Sequence, residues 1–215
     1  MPNFLNNIRP TERKIPMKRK AADTIIIMLF GILLGIISKY LDCTASNELP
    51  FIIAYLDVRN FFGRFAIWIF LAVCISIYSI SAIRASINVF LFFTGMIASY
   101  YLYSNFVAGF FPRSYAMIWI GFTIISPLPA FICWYSKGRT KASLILSAGI
   151  IGILFNMTFV YGWIYFDMRS ILELLVFIGG IAVLRRATPK ATMAMIALGV
   201  VFAFIIHCVF PFYFA

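Results

Sequence analysis

The chain has 215 residues, 63% of them hydrophobic and only 12% charged, with a formal net charge of +11. Soluble domains are roughly 45–50% apolar and about 25% charged, so this composition excludes a water-exposed surface of ordinary extent, and with it a soluble enzyme, a nucleic-acid reader or a disordered regulator. It describes instead an all-α, polytopic bundle of transmembrane helices embedded in the lipid bilayer, with no length left for a second folded domain.

Residues 1–20 carry Arg9, Arg13, Lys14, Lys18, Arg19 and Lys20 among Pro2, Pro10 and Pro16. This stretch reads as an irregular, basic cytoplasmic tail. The apolar run that follows, 22–41, is 20 residues long, enough for a retained membrane helix and too long for the roughly 7–15 residues of a signal sequence. Residues 21–215 then form a single bundle, with further apolar runs at about 64–83, 86–107, 115–135, 142–163, 170–184 and 191–212. The pattern predicts seven crossings. The sixth run, at about 1.5 Å per residue, reaches only about 22 Å against a hydrocarbon core of about 30 Å; if it turns back, the count is six.

Basic residues arbitrate. With the amino terminus inside and the carboxy terminus outside, 13 of the 18 Lys and Arg fall in cytoplasmic segments, and Lys39, Arg59, Arg64, Arg113 and Arg169 fall outside. Six crossings would weaken that split to ten against eight, so the positive-inside bias favours seven, in the cell membrane. The 42–63 segment is the one sizeable loop, with Asp42, Glu48, Asp57 and Arg59 flanking a semi-apolar stretch, 49–56, that reads as a short interfacial helix.

Ionisable groups inside apolar runs point to cavities or partners, because hydrocarbon rejects an unpaired charge. Glu173 lies within the sixth run, four residues after Arg169, so the two are expected to meet on one helix face. As a ligand group it would bind a cation or exchange a proton; as a structural group it would pair with Arg169, Arg64 or Lys39. His207, the sole histidine, is either a functional group of the site or a hydrogen-bonded packing residue. Tyr100, Tyr101, Tyr103, Tyr115, Trp119, Tyr161, Trp163 and Tyr165 gather on the same outer side, either as an interfacial belt or as the wall of a pocket. The candidate ligand site is therefore Glu173, His207, Tyr100, Tyr103, Trp119, Tyr161 and Trp163.

Pro127 and Pro129 remove backbone donors from the fourth run and should kink it, as a hinge or as a packing bend. Gly31 and Gly35 form a GxxxG face for close packing, within the chain or against a partner subunit. Asn88 and Asn156 are expected to hydrogen-bond between helices. Cys43, Cys74, Cys133 and Cys208 contain no CxxC, and no Cys/His spacing suits a metal, so neither a metal, a cofactor nor a catalytic residue is expected. The last run has no lysine to anchor a retinal, and the chain has no P-loop, HExxH or nucleophile elbow.

These features predict binding or transport of a small solute through an outward-facing aromatic and charged pocket. The alternatives are a non-catalytic membrane partner or assembly subunit, and a lipid-acting enzyme, which would need Glu173 and His207 within hydrogen-bond reach. As a whole the chain resembles small bacterial multi-helix membrane families of unknown function. In its size, basic leader and GxxxG-bearing first helix it is similar in architecture to the substrate-binding S components of energy-coupling factor vitamin transporters. That resemblance implies a ligand near the outer face and a partner docked on small residues of the first helix. Those proteins have six helices with both ends inside and an alanine-rich motif in the first helix; Gly31 and Gly35 stand in its place here.

Overall fold

The computed structural model of the protein describes residues 5, 7–10, 16–45, 47–162 and 164–209. It is mostly helical, at 79%. The first helix, α1 (Met17–Cys43), begins five residues before the expected 22. Pro16 pre-sets the entry and the Met-Lys-Arg-Lys-Ala-Ala stretch is made of strong helix formers. Lys18, Arg19 and Lys20 therefore belong to a helix and not to an irregular tail. Two short helices, α2 (Phe51–Tyr55) and α3 (Val58–Gly63), occupy the following loop. Phe51, Ile52 and Tyr55 of α2 stand exposed.

The rest of the chain forms α4 (Phe65–Tyr78), α5 (Ala82–Phe106), α6 (Arg113–Ile125), α7 (Pro127–Tyr135) and α8 (Lys141–Thr158), then a two-stranded antiparallel hairpin, β1 (Phe159–Tyr161) and β2 (Phe166–Met168), and finally α9 (Ile171–Leu184) and α10 (Pro189–Val209). Among the described residues, α1, α5, α8 and α10 are long and apolar enough to cross a membrane, and α6 with α7 makes a fifth if that bent pair is one span. The expected seven exceeds this count. Both α4 and α9 have 14 residues, about 21 Å of helix. The second apolar run is shorter than read because Ser79–Ser81 breaks it: Ser79 leaves α4, and the Ser81 hydroxyl caps α5 by accepting from the Arg84 amide. The fifth is shorter because α8 gives way to the hairpin at Phe159.

Two glycine seams hold the long helices. A Cβ at Gly31 would run into the Phe92 carbonyl of α5, and one at Gly35 into the Met96 carbonyl and Ser99 hydroxyl. Gly95 returns the contact, 2.6 Å from the Met28 carbonyl to an added Cβ. The Ser99 hydroxyl donates to the Ile32 carbonyl at 2.9 Å across this seam. Gly31 and Gly35 thus serve packing within the chain. Gly152 and Gly199 make the equivalent approach between α8 and α10. Between the seams, apolar α4 gives Trp68 to one core cluster, with Phe92 and Met96, and Val73 and Ile77 to another, with Ile151, Leu154 and Phe177.

Polar contacts gather at two ends of the bundle. At the near end, where Ile8 lies against Gly138, are Lys20, Arg84, Trp134, Ser143 and Arg186. At the far end are Lys39, Arg64, Tyr100, Trp119, the hairpin and Glu173. The short helices α4 and α9 join these ends as the long ones do: Arg64 at the start of α4 meets Glu173 at the start of α9, while Ile77 and Val183, in their last turns, accept from Arg9 and Lys137.

At the fourth run, α6 and α7 meet at 42°. Pro127 lacks the amide that would bond the Thr123 carbonyl, and the Ser126 hydroxyl supplies that bond at 2.8 Å. The Pro127 carbonyl accepts from Ser86 of α5 at 2.8 Å. The break is thus satisfied inside the bundle.

Candidate functional site

The far end separates the predicted site residues into three groups. In the first, Glu173 is 0% exposed. Its Oε1 accepts from Arg64 Nη1 at 2.7 Å and its Oε2 from the Ser170 hydroxyl, while Arg64 Nη2 reaches Asp57 Oδ2 at 3.1 Å. Ser170 also caps α9 by accepting from the Leu172 amide at 3.2 Å. Each carboxylate oxygen thus has a partner, and the salt bridge is to Arg64, 109 residues away. Arg169 precedes the cap and so shares no helix face with Glu173, which removes the expected i,i+4 contact. Burial and the neighbouring Arg64 lower the Arg169 pKa, with Glu173 opposing the shift.

The second group is an aromatic lock. His207 on α10 packs its ring against Tyr161 at 4.8 Å. The Tyr161 hydroxyl donates to Asn156 Oδ1 at 2.6 Å, and Asn156 Nδ2 to the Ala203 carbonyl at 3.0 Å, tying the hairpin and α8 to α10. Glu173 and His207 make no hydrogen bond with one another; the partners of Glu173 are Arg64 and Ser170. The lipid-enzyme reading required that contact.

The third group surrounds a cleft of about 50 Å³ between α1, α3, α5 and α6, lined by Asp42, Arg59, Tyr100, Tyr101, Tyr115 and Trp119 among others. Tyr100 and Trp119 are therefore brought together. Trp119 stacks on Phe65 with ring centroids 5.0 Å apart. The Tyr100 hydroxyl donates to Asp42 Oδ2 at 3.1 Å. Lys39, 2% exposed, reaches the same carboxylate oxygen at 2.6 Å and lies 4.9 Å from the Tyr100 ring centre and 4.5 Å from that of Phe110. A carboxylate with aromatic faces is a cation cage, and here the chain's own ammonium occupies it. Arg59 makes no salt bridge with any described residue. Tyr103 does not line the cleft, and Trp163 lies outside the described residues.

Sequence reasoning passed over Arg59 and Asp42 as ligand groups, treating them as loop and boundary charges. The spacing Lys39-x-x-Asp42 was the available signal, since i,i+3 partners share a helix face. For Glu173 the signal was Ser170-x-x-Glu173, a capping-box pattern that starts a helix after Arg169. Among the described residues no three His, Cys, Asp or Glu side chains gather as a metal site would need. Comparisons of the chain with protein-family models, with curated proteins and with solved structures each find no match.

Proposed function

We propose that the chain is a seven-crossing membrane protein, its basic end cytoplasmic, that binds a small carboxylate-bearing solute in the far-end cleft, as a transporter or its binding subunit. The observation that carries this reading is the Arg59 guanidinium, in salt bridge with none of the described residues, in a cleft it lines together with Asp42 and the rings of Tyr100, Tyr101, Tyr115 and Trp119. An arginine fork suits a carboxylate, and the aromatic walls take the apolar remainder of the solute. Seven crossings draw support from α4 and α9 joining the same two polar ends as the longer helices.

At about 50 Å³ the cleft admits a charged head group; pockets for whole small ligands are roughly 300–1,000 Å³. The wall able to yield is α6, of whose 13 residues only Ala116 and Thr123 are buried, swinging on the Ser126–Pro127 bend. Glu173, held by Arg64 and Ser170, acts as scaffold in this reading.

The test is thermal unfolding in detergent against a panel of amino acids, simple carboxylates and amines. At least one carboxylate-bearing solute should raise the melting temperature, and Arg59→Gln should weaken its apparent affinity at least about tenfold, a loss of about 1.4 kcal/mol. Stabilisation that survives Arg59→Gln, or none across the panel, overturns the proposal.

A further inference from the structure

At the near end a second cavity, about 270 Å³, opens between α1, α4 and α5. Its wall is amphipathic along the helix axes. Lys20, Asp23 and Arg84 line the part nearest the helix ends, and Ile26, Ile27 and Ile75 line it up to two turns deeper. Ile26 is 64% exposed and Tyr78, at the rim, 74%, so the crevice faces outward from the bundle and not into its core.

The floor is a built polar network. Thr24 Oγ1 donates to Asn88 Oδ1 at 2.7 Å, and Asn88 Nδ2 to the Ser79 hydroxyl at 3.1 Å. Arg84 Nη2 donates to the Lys20 carbonyl at 2.5 Å and to the Thr24 hydroxyl. These bonds pin one guanidinium nitrogen and orient the group at the crevice mouth. The three charges lining the crevice are not spent on one another: neither Lys20, Asp23 nor Arg84 forms a salt bridge with a described residue.

We propose that this crevice seats one glycerophospholipid with a primary-amine head group. Its phosphodiester lies between Lys20 and Arg84, its ammonium on the Asp23 carboxylate, and its acyl chains along Ile26, Ile27 and Ile75. The complementarity is of sign and of depth. Two cations answer the phosphate and one carboxylate answers the amine, all at the level where a head group lies, with apolar surface only below them. Basic pockets between helices near a membrane surface are where lipid phosphates bind, at about 1 kcal/mol per Lys or Arg. The carboxylate is what an unselective anion site would lack, and a quaternary ammonium has no proton to give it.

Native mass spectrometry of the full chain, delipidated and re-exposed to equal amounts of phosphatidylethanolamine, phosphatidylglycerol and phosphatidylcholine with identical acyl chains, tests this directly. Phosphatidylethanolamine should be retained most. Lys20→Gln, which keeps the backbone carbonyl that the floor network uses, should lower retention of phosphatidylethanolamine and phosphatidylglycerol about fivefold. Asp23→Asn should erase the advantage of phosphatidylethanolamine over phosphatidylglycerol while leaving binding of the latter intact. Equal retention of all three lipids, or an ethanolamine preference that survives Asp23→Asn, overturns the proposal. So does retention of chain-free glycerophosphoethanolamine as firm as that of the lipid, which would mark a site for soluble phosphoesters.

Discussion

The two ends of this bundle solve the same problem, a charge near hydrocarbon, with different partners. The sequence segments that meet at the far end carry five basic and five acidic residues, and those at the near end carry thirteen basic and two acidic. Two of the five far-end cations accordingly find carboxylates: Lys39 finds Asp42, and Arg64 finds both Asp57 and Glu173. Near-end cations find backbone. Arg9 donates to the carbonyls of Trp134 at 2.8 Å and Ile77 at 3.1 Å, Lys137 to those of Val183 and Arg185, and Arg186 to that of Gly138 at 2.6 Å. Ile77, Trp134 and Val183 sit in the last turns of α4, α7 and α9, where carbonyls lack helical donors and the helix dipole is negative. Part of the excess of +11 is thus matched by helix ends.

The largest effect to expect concerns orientation. Under the proposed topology, a tag on the carboxy terminus is reached by impermeant probes on intact cells and a tag on the amino terminus only after permeabilisation. Both tags on one side would break the distinction between a cytoplasmic and an outer end. Next comes the far end's dependence on carboxylates. Glu173→Ala leaves the Arg64 guanidinium with Asp57 alone and should destabilise the protein by about 3 kcal/mol, at the low end of what a broken buried pair costs, measurable by chemical denaturation in micelles. A loss below about 1 kcal/mol would reduce that pair to a surface contact.

The smallest effect sharpens the near end. Burial, then Arg186, Arg185 and Arg9, lower the Lys137 pKa below its ordinary 10.5. The folded protein therefore binds this proton less tightly than the unfolded chain does. The penalty is fully present below the folded pKa and fades as pH rises through it toward the ordinary lysine value. Stability should climb modestly over that alkaline window, and Lys137→Gln should flatten the climb. A wild-type slope unchanged by the substitution would assign it elsewhere.

The apolar runs coincide with α1 and α4 to α10, because lipid-facing and core-facing positions are alike apolar. Hydropathy misjudged ends for the same reason. Ser79–Ser81 turns within an unbroken hydrophobic run, and Phe159–Tyr161 is as apolar as the helix before it, so a strand and a helix are indistinguishable there by hydropathy alone. The site was legible in part. Tyr100 and Trp119 do share a cleft, but Glu173 and Tyr161 were drawn into it by the assumption that residues at one depth face one cavity. Depth follows from position along a helix; azimuth follows from pairings such as Arg64 with Glu173, which no local rule foretells. Gly31 and Gly35 carried a correct statement about close approach, and their partner proved to be α5 of the same chain.

The length of α9 has a further consequence. Its Ile171, Leu175 and Ile178 are exposed, so in a seven-crossing protein lipid tails meet a helix that reaches about 21 Å, whereas the 27 residues of α1 reach about 40 Å. The lipid around α9 would then be a pinched bilayer while that around α1 is a full one or meets a tilted helix. Such lopsided mismatch would gather short-chain lipids along α9 and orient neighbouring proteins toward that side, a sorting cue written into helix length alone.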